Sequence, residues 1–351
     1  MNEKDSVEKA PASRAVIWDI AHRSGVSIAT VSRVLNGRPD VSDATRERVM
    51  DSIRELGYVS NRHARALVSG RTSYIGFTVP KVEHFLLILE GATEAIAEHD
   101  AHLVVCPTGY EHEREVSLLE RLQRGGTDGA LLVLPSENVN DLLQLRRRDY
   151  PFVVIDPRFP LSDEIPVVST ANILGGRAAT EHLISLGHRR IGAITGYANW
   201  CATIDRLAGY HSALITAGLQ PSPKLIVTSD FTIDGGYQAA QSLLSLDERP
   251  GAIFAFNDDM AVGVLRAAQE RGIRVPDDLS LIGFDDTKYA RVVTPPLTTI
   301  RQPLAELGRA GVEVLYRILN GQQLDATRME LSTRLVVRAS TARYEPSSSN
   351  D

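Results

Sequence analysis

The sequence predicts a small all-α head in front of an α/β body built from two similar subdomains. Three observations point there. The N-terminal segment has helical spacing broken by one glycine turn, the rest alternates strand-like and helix-like runs in two series, and 351 residues exceed one typical domain. With 43% hydrophobic and 23% charged residues, the chain can bury sizeable cores.

No apolar run approaches the ~18–20 residues of a transmembrane helix. The opening residues MNEKDSVEKAPASR lack the apolar core of a secretory signal, so 1–14 are expected to be a disordered leader and 346–351 a disordered tail. Cys106 and Cys201 lie far apart and fit neither a disulfide framework nor a metal motif, which suits a reducing cytoplasm. No cofactor is expected.

Charge is distributed unevenly. Residues 14–71 carry ten arginines against six acids, a net of +4, whereas the whole chain nets −6. Residues 1–13 hold −1, which leaves −9 on residues 72–351. A basic head on an acidic body suggests that only the head meets a polyanion.

Within the head, Ile17, Ile20 and Ala21 form one apolar stripe and Val26, Val31 and Val34 another. Between them Gly25 supplies the positive φ of a sharp helix-to-helix bend, and Ser27 is a good N-cap for the second helix. A small Ala21 four residues before the glycine lets the helices cross closely. Together these features describe a helix-turn-helix, whose second helix enters a DNA major groove. A third helix is expected from a cap at Ser42 to a stop at Gly57, burying Val49, Ile53 and Leu56. The following NRHARALVSGRTS has too few apolar residues to be a stable helix alone. It reads as a linker or as a segment that folds on DNA, with Leu67 as a minor-groove wedge.

The run IWDIAHRSGVSIATVSRVLNGRPDVSDATRERVMDSIRELGYVSNRHARAL resembles the DNA-binding head of the lactose-repressor (LacI/GalR) family of bacterial transcription regulators. The resemblance implies that Ile28, Ala29, Thr30, Arg33 and Asn36 face the major groove. It places Ser42 and Thr45 near the DNA backbone, and Asn61, Ala64 and Leu67 in a hinge helix that pairs with its partner's in the minor groove. Val16 stands where many relatives have a threonine that caps helix one and touches phosphate, so that contact is not carried over. The implied domains are 15–60 for the head, 61–72 for the hinge and 73–345 for the effector-binding and dimerisation core.

In the body, YIGFTV, HLVVCP, GALLVL and FVVID form one strand series, and RIGAITG, KLIVTS, AIFAFN and LSLIGFDD a second, with amphipathic stretches between. Such alternation predicts parallel sheets, with ligands beyond the carboxyl ends of the strands. GGRAATEHLISLGHRRIGAITG, RLAGYHSAL, AIFAFNDDMAVGVLRA, VPDDLSLIGFDD and PPLTTIRQP resemble the periplasmic-binding-protein-like core of the same family. That implies two Rossmann-like subdomains, one of about 73–172 plus 301–325 and one of about 173–300 plus 326–345. It implies an effector site of Asp156, Arg158, Arg206, Phe231, Asn257 and Asp285, to which Trp200, in the loop after ITG, is expected to add another wall. Asp, Asn and Arg bond hydroxyls directionally and Phe can cover a sugar face. The loop GYANWCATID and the end of the first strand, TVPKVEHFL, depart from the family pattern.

Other readings fare less well. The pairs Asp258-Asp259, Asp277-Asp278 and Asp285-Asp286 have no accompanying nucleophile–base pair, so no enzyme is expected. His182 and His188 have poor metal-ligand spacing. Cys201 near the cleft invites a redox reading, which one cysteine supports weakly. A transport receptor with the same body would need a signal peptide and no basic head. The expected function is therefore a cytoplasmic, nucleoid-associated regulator, probing double-stranded operator DNA as a homodimer without contacting membrane. It is expected to repress a catabolic operon under control of a sugar effector, with sugar phosphates and nucleosides or purines as alternatives and inducer or corepressor action left open.

Overall fold

The computed structural model describes residues 15–35, 38–58 and 71–344, which fall in two compact units, Met1–Ser73 and Tyr74–Asp351. The leader, the tail, Asn36 and the hinge candidates Asn61, Ala64 and Leu67 lie outside the described residues.

The head holds α1 (Ile17–Ser24), α2 (Ile28–Leu35) and α3 (Asp43–Glu55). Gly25 ends α1 at φ 66°, and because a Cβ there would meet nothing, conformation rather than space selects glycine. Ser27 Oγ accepts from Thr30 N at 3.1 Å to start α2, and Ser42 Oγ accepts from Thr45 N at 3.4 Å to start α3. Ile20, Val31 and Val49, one from each helix, are fully buried together. Each contributes about 1.5–3 kcal/mol of burial, enough to hold three short helices that would not persist singly. Val16 occupies the N-cap of α1 without a side-chain cap; Asp19 Oδ2 accepts from Val16 N at 2.8 Å instead.

The body contains two six-stranded sheets with matching order. The first runs β11 (Arg328–Leu331), β5 (Val167–Thr170), β4 (Phe152–Ile155), β3 (Gly129–Val133), β1 (Tyr74–Val79), β2 (His102–Pro107), all parallel. The second runs β12 (Arg334–Val336), β10 (Thr298–Arg301), β9 (Ser280–Asp285), β8 (Ala252–Ala255), β6 (Ile191–Thr195), β7 (Ile226–Thr228), parallel except that β12 lies antiparallel to β10. β3, β4, β6 and β8 are buried along their whole length, as strands covered on both faces must be. Helices pack in pairs over them: α4 (Leu86–Ala97) with α12 (Leu304–Leu319) on the first lobe, α7 (Asn172–Ser185) with α8 (Cys201–Thr216) and α9 (Ile233–Leu244) with α10 (Asp258–Glu270) on the second. The chain passes between lobes after β5, after β10 and between β11 and β12.

The structure corrects the expected subdomain bounds and one strand. Residues 326–331 do not belong with the second subdomain, because β11 pairs with β5 in the first sheet. Arg328–Leu331 is a polar edge strand held by backbone bonds, so no apolar run announces it. Arg301 likewise closes β10 in the second sheet. β5 and β10 also escaped the strand reading, since VVST and TTIR are short and half polar. KLIVTS yields only Ile226–Thr228 as strand, because Pro223–Leu225 form a 3₁₀ turn.

Candidate functional site

On the head, the two sides of α2 differ sharply. Val31 and Val34 are inside, whereas Ile28 is 45% exposed and Ala29 and Arg33 are exposed, with Thr30 partly covered. An exposed isoleucine beside an arginine on a helix without acids is a surface that a DNA groove can use. Arg33 Nη1 lies 3.5 Å from Asp40, a solvent-exposed pair worth little and easily exchanged. Ser42 and Thr45 hydroxyls stand at the N-terminus of α3, where backbone N–H groups attract phosphate.

In the body, the carried-over residues come together where the carboxyl ends of both sheets meet. Asp156 follows β4 and Asp285 ends β9; Phe231 lies between β7 and α9; Asn257 caps α10. Three of them hold left-handed backbone, Asp156 at φ 52°, Phe231 at 64° and Asp285 at 107°. Such strain in non-glycine residues gathers at ligand sites.

Arg206 of α8 is the centre. It is 4% exposed, donates Nε to Asn172 Oδ1 at 2.8 Å and Nη1 to the Phe256 carbonyl, and lies 3.7 Å from the Phe284 ring centre. Its Nη2 is 3.7 Å from Asp285 Oδ1, and the charges of Asp156, Asp258 and Asp205 also act on it. Burial pushes Asp285 up to about 7 although Arg206 pulls the other way. Burial likewise raises Asp156, again against Arg206. Asp258 is raised to about 8 by burial and then by Asp285's charge. Much of the guanidinium of Arg206 is thus engaged by Asn172, the Phe256 carbonyl and Asp285. Asn257 is similarly engaged, accepting from Met260 N at 2.9 Å and donating to the Phe231 carbonyl at 2.9 Å, so it sets the aromatic loop.

The aromatic wall is longer than the sequence suggested. Trp200 stacks on Phe231 at 5.5 Å between ring centres, with Tyr197 4.7 Å and Tyr110 6.2 Å from Trp200. Gly196 makes room: a Cβ there would sit 1.9 Å from the Phe231 ring. Arg158 of the first lobe lies 4.9 Å over Trp200 and 5.2 Å over Tyr110, and its carbonyl accepts from Cys201 N at 2.8 Å. Behind Arg158 lie Glu115 and Glu137, each 1% exposed, with Glu137 pushed up to about 9 by burial and by Glu115's charge. Cys201 is raised to about 11 by burial and by Asp205, which leaves little thiolate for redox chemistry.

Tyr110, Tyr197, Thr170, Asn172 and Gln302 join these residues without any signal in the sequence. Gln302 stood inside the PPLTTIRQP motif, but nothing local marked its role. The aspartate pair divides its work: Asp285 faces Arg206, while fully buried Asp286 binds Arg291, Arg301 and Arg338. Burial raises Asp286, yet Arg338 and Arg301 outweigh it and hold it below the usual carboxylate range. Among the described residues, no helix is long and apolar enough to cross a membrane, and no cluster of three or more His, Cys, Asp or Glu is placed to hold a metal.

Residues 16–61 match the family model for bacterial regulatory proteins of the lacI family, and 180–341 the periplasmic binding protein-like domain. The HTH-type transcriptional regulator DegA of Bacillus subtilis (strain 168) is 34% identical over 94% of this chain and 98% of its own. A lac repressor dimer bound to operator and the anti-inducer ONPF superposes with TM-score 0.83 at 30% identity, covering 94% of this chain and 100% of that one. A transcriptional regulator CelR–cellobiose complex gives TM-score 0.70 at 35% identity, covering 93% and 100%. With a helix-turn-helix whose outer face is open and a two-lobed body that gathers polar and aromatic groups at its strand ends, the chain belongs to the LacI family of DNA-binding transcriptional regulators.

Proposed function

We propose that the chain represses a catabolic operon by binding a near-palindromic operator as a dimer, and that a neutral sugar held between the lobes switches it. The observation that carries the effector reading is the convergence of strained Asp156, Phe231 and Asp285 around Arg206, beside the Trp200–Phe231 stack. Carboxylates accept from sugar hydroxyls and aromatic faces cover the apolar side of a pyranose. Arg206 already donates to Asn172 and the Phe256 carbonyl and lies against Asp285, so little of its guanidinium is left for a phosphate. A neutral ligand suits the site better. The cellobiose held by the CelR relative is of that class.

In this reading Ile28, Ala29, Thr30 and Arg33 read bases, with Asn36 beside them; small apolar groups meet thymine methyls and Arg33 seeks guanine. Ser42 and Thr45 hold phosphate. Residues 61–72, with Asn61 and Ala64, act as a hinge on DNA, with Leu67 as its minor-groove wedge. The effector works by preferring one lobe arrangement, which changes the population able to bind operator. A thermal-shift screen of neutral mono- and disaccharides, sugar phosphates and nucleosides tests the ligand class. A neutral sugar at ~100 times its Kd is expected to stabilise by ~2.7 kcal/mol. Stabilisation by sugar phosphates alone contradicts the reading.

A further inference from the structure

A concentration of positive charge on the body lies apart from the interlobe residues. A cavity of about 860 Å³ is lined by Arg189, Arg190, Arg249, Arg274 and Arg343 together with Tyr344. Its residues immediately precede β6 at Ile191, β8 at Ala252 and β9 at Ser280. It therefore lies at the opposite ends of the second sheet from Asp285 and Phe231, and a ligand there is separate from the effector.

Five arginines line this cavity against two acids, Asp277 and Asp278, in a body that is acidic as a whole. The acids do not neutralise them. Arg274 takes both, donating Nε and Nη2 to Asp278 at 2.9 Å each and lying 3.2 Å from Asp277. Arg274, with Arg249 adding to it, holds Asp278 down at about 2, so this pair stays ionised and fixed. Arg190 donates Nε to the Glu248 carbonyl at 2.7 Å, with that residue's carboxylate only at 3.9 Å. Arg189 and Arg343 are exposed and have no acidic partner among the described residues. Arg249 is also exposed. Like charges gathered in a concavity repel one another unless an anion joins them, and the planar guanidinium fork matches phosphate oxygens in pairs. Tyr344, 48% exposed on the rim, offers a ring face beside them.

We propose that this arginine-lined cavity binds a small molecule carrying contiguous phosphates, with Arg189, Arg249 and Arg343 as its phosphate contacts. Its volume falls within the ~300–1,000 Å³ of small-molecule sites. Inorganic polyphosphate and a nucleoside triphosphate share the required chemistry. Tyr344 distinguishes them, since only a nucleotide has a base to stack.

Isothermal titration of the full chain with tripolyphosphate, ATP and adenosine, at fixed ionic strength, tests the proposal. Wild type is expected to bind tripolyphosphate saturably. The Arg189→Ala/Arg343→Ala double variant is expected to bind about tenfold or more weakly, the loss of charge-assisted contacts, with its thermal midpoint and operator affinity unchanged. Trp200→Ala is expected to bind tripolyphosphate as wild type does. Tyr344→Ala weakens ATP but not tripolyphosphate if the natural ligand is a nucleotide, and neither if it is an inorganic phosphate chain; adenosine alone does not bind in either case. Equal binding by wild type and the double variant overturns the proposal, because the phosphate then sits elsewhere, as on the basic head. Displacement by equimolar sulfate also overturns it, as does no binding by wild type.

Discussion

Gln302 donates from Nε2 to Asp285 Oδ1 at 2.6 Å, while its Oε1 accepts from Thr170 Oγ1 at 2.5 Å. The glutamine lies where the chain passes from β10 to α12, Thr170 ends β5 of the first lobe, and Asp285 ends β9 of the second. Asp285 in turn reaches Arg206, whose Nε holds Asn172 at the start of α7. One chain of polar contacts thus joins two interlobe crossings to the candidate effector residues. Replacing Gln302 with Ala takes the acceptor from buried Thr170 Oγ1 and leaves Asp285 with Arg206 alone, at a site only 8% exposed at Gln302. The expected cost is about 1–3 kcal/mol of stability together with a weaker response of operator binding to effector. Unfolding and operator titrations with and without sugar check both; an unaltered effector response removes Gln302 from the coupling.

Gly196→Ala acts on the wall rather than the relay. Its Cβ would strike the Phe231 ring, so the ring must swing and the stack on Trp200 is lost. A cost of ~1–3 kcal/mol in stability and a marked loss of sugar affinity are expected, readable by calorimetry. Trp200→Ala should lower sugar affinity with less effect on folding, because Trp200 is only partly buried.

Glu137 makes stability depend on pH. Its folded pKa, about 9, is raised above the ordinary carboxyl value, so the folded chain keeps a proton that the unfolded chain releases. Between about pH 4.5 and 9 the unfolded state binds fewer protons, and stability falls as pH rises, by at most ~1.4 kcal/mol per unit. Above that window the contribution levels off. Glu137→Gln, neutral throughout, should flatten the decline in a series of denaturant titrations from pH 5 to 9. An identical slope in the variant would show that Glu137 is not the titrating group.

Val16→Thr is expected to be a gain. Position 16 has the extended backbone of an N-cap, φ −112° and ψ 165°, but its side chain cannot accept from α1. A threonine hydroxyl should stabilise the head by ~1 kcal/mol. It should also add a phosphate contact, seen as tighter binding to operator and non-operator DNA alike.

Arg33→Ala should instead relax sequence preference, by ~1–3 kcal/mol at one base pair, because its guanidinium is the only long cation on α2 and its pairing to Asp40 is exposed. Competition binding with single-base operator variants measures this. Preference identical to wild type would remove Arg33 from base reading.

The head was legible because its helices are amphipathic at every turn: Ile20, Val31 and Val49 fall where the 3.6 period puts them. The buried strands were legible for the same reason, as unbroken apolar runs. β5, β10 and β11 were not, because sheet membership there rests on backbone pairing by half-polar segments. Motifs could place single candidate residues near the strand ends, but not their connections. Thr170 and Gln302 are 132 residues apart in sequence, and Arg158 meets Trp200 from another lobe. Left-handed backbone at Asp156, Phe231 and Asp285 carries no signature in residue type, since none is glycine.

On the proposed function, the residues around Arg206 control the grip of the head on DNA. Fluorescence anisotropy of labelled operator with the full chain, repeated with the sugar that stabilises it most and with Asp285→Asn, tests this most directly. A shift in operator Kd of about 5–150-fold is predicted for wild type, with little or none for Asp285→Asn. Operator affinity that stays the same while the sugar saturates the wild-type protein would contradict it.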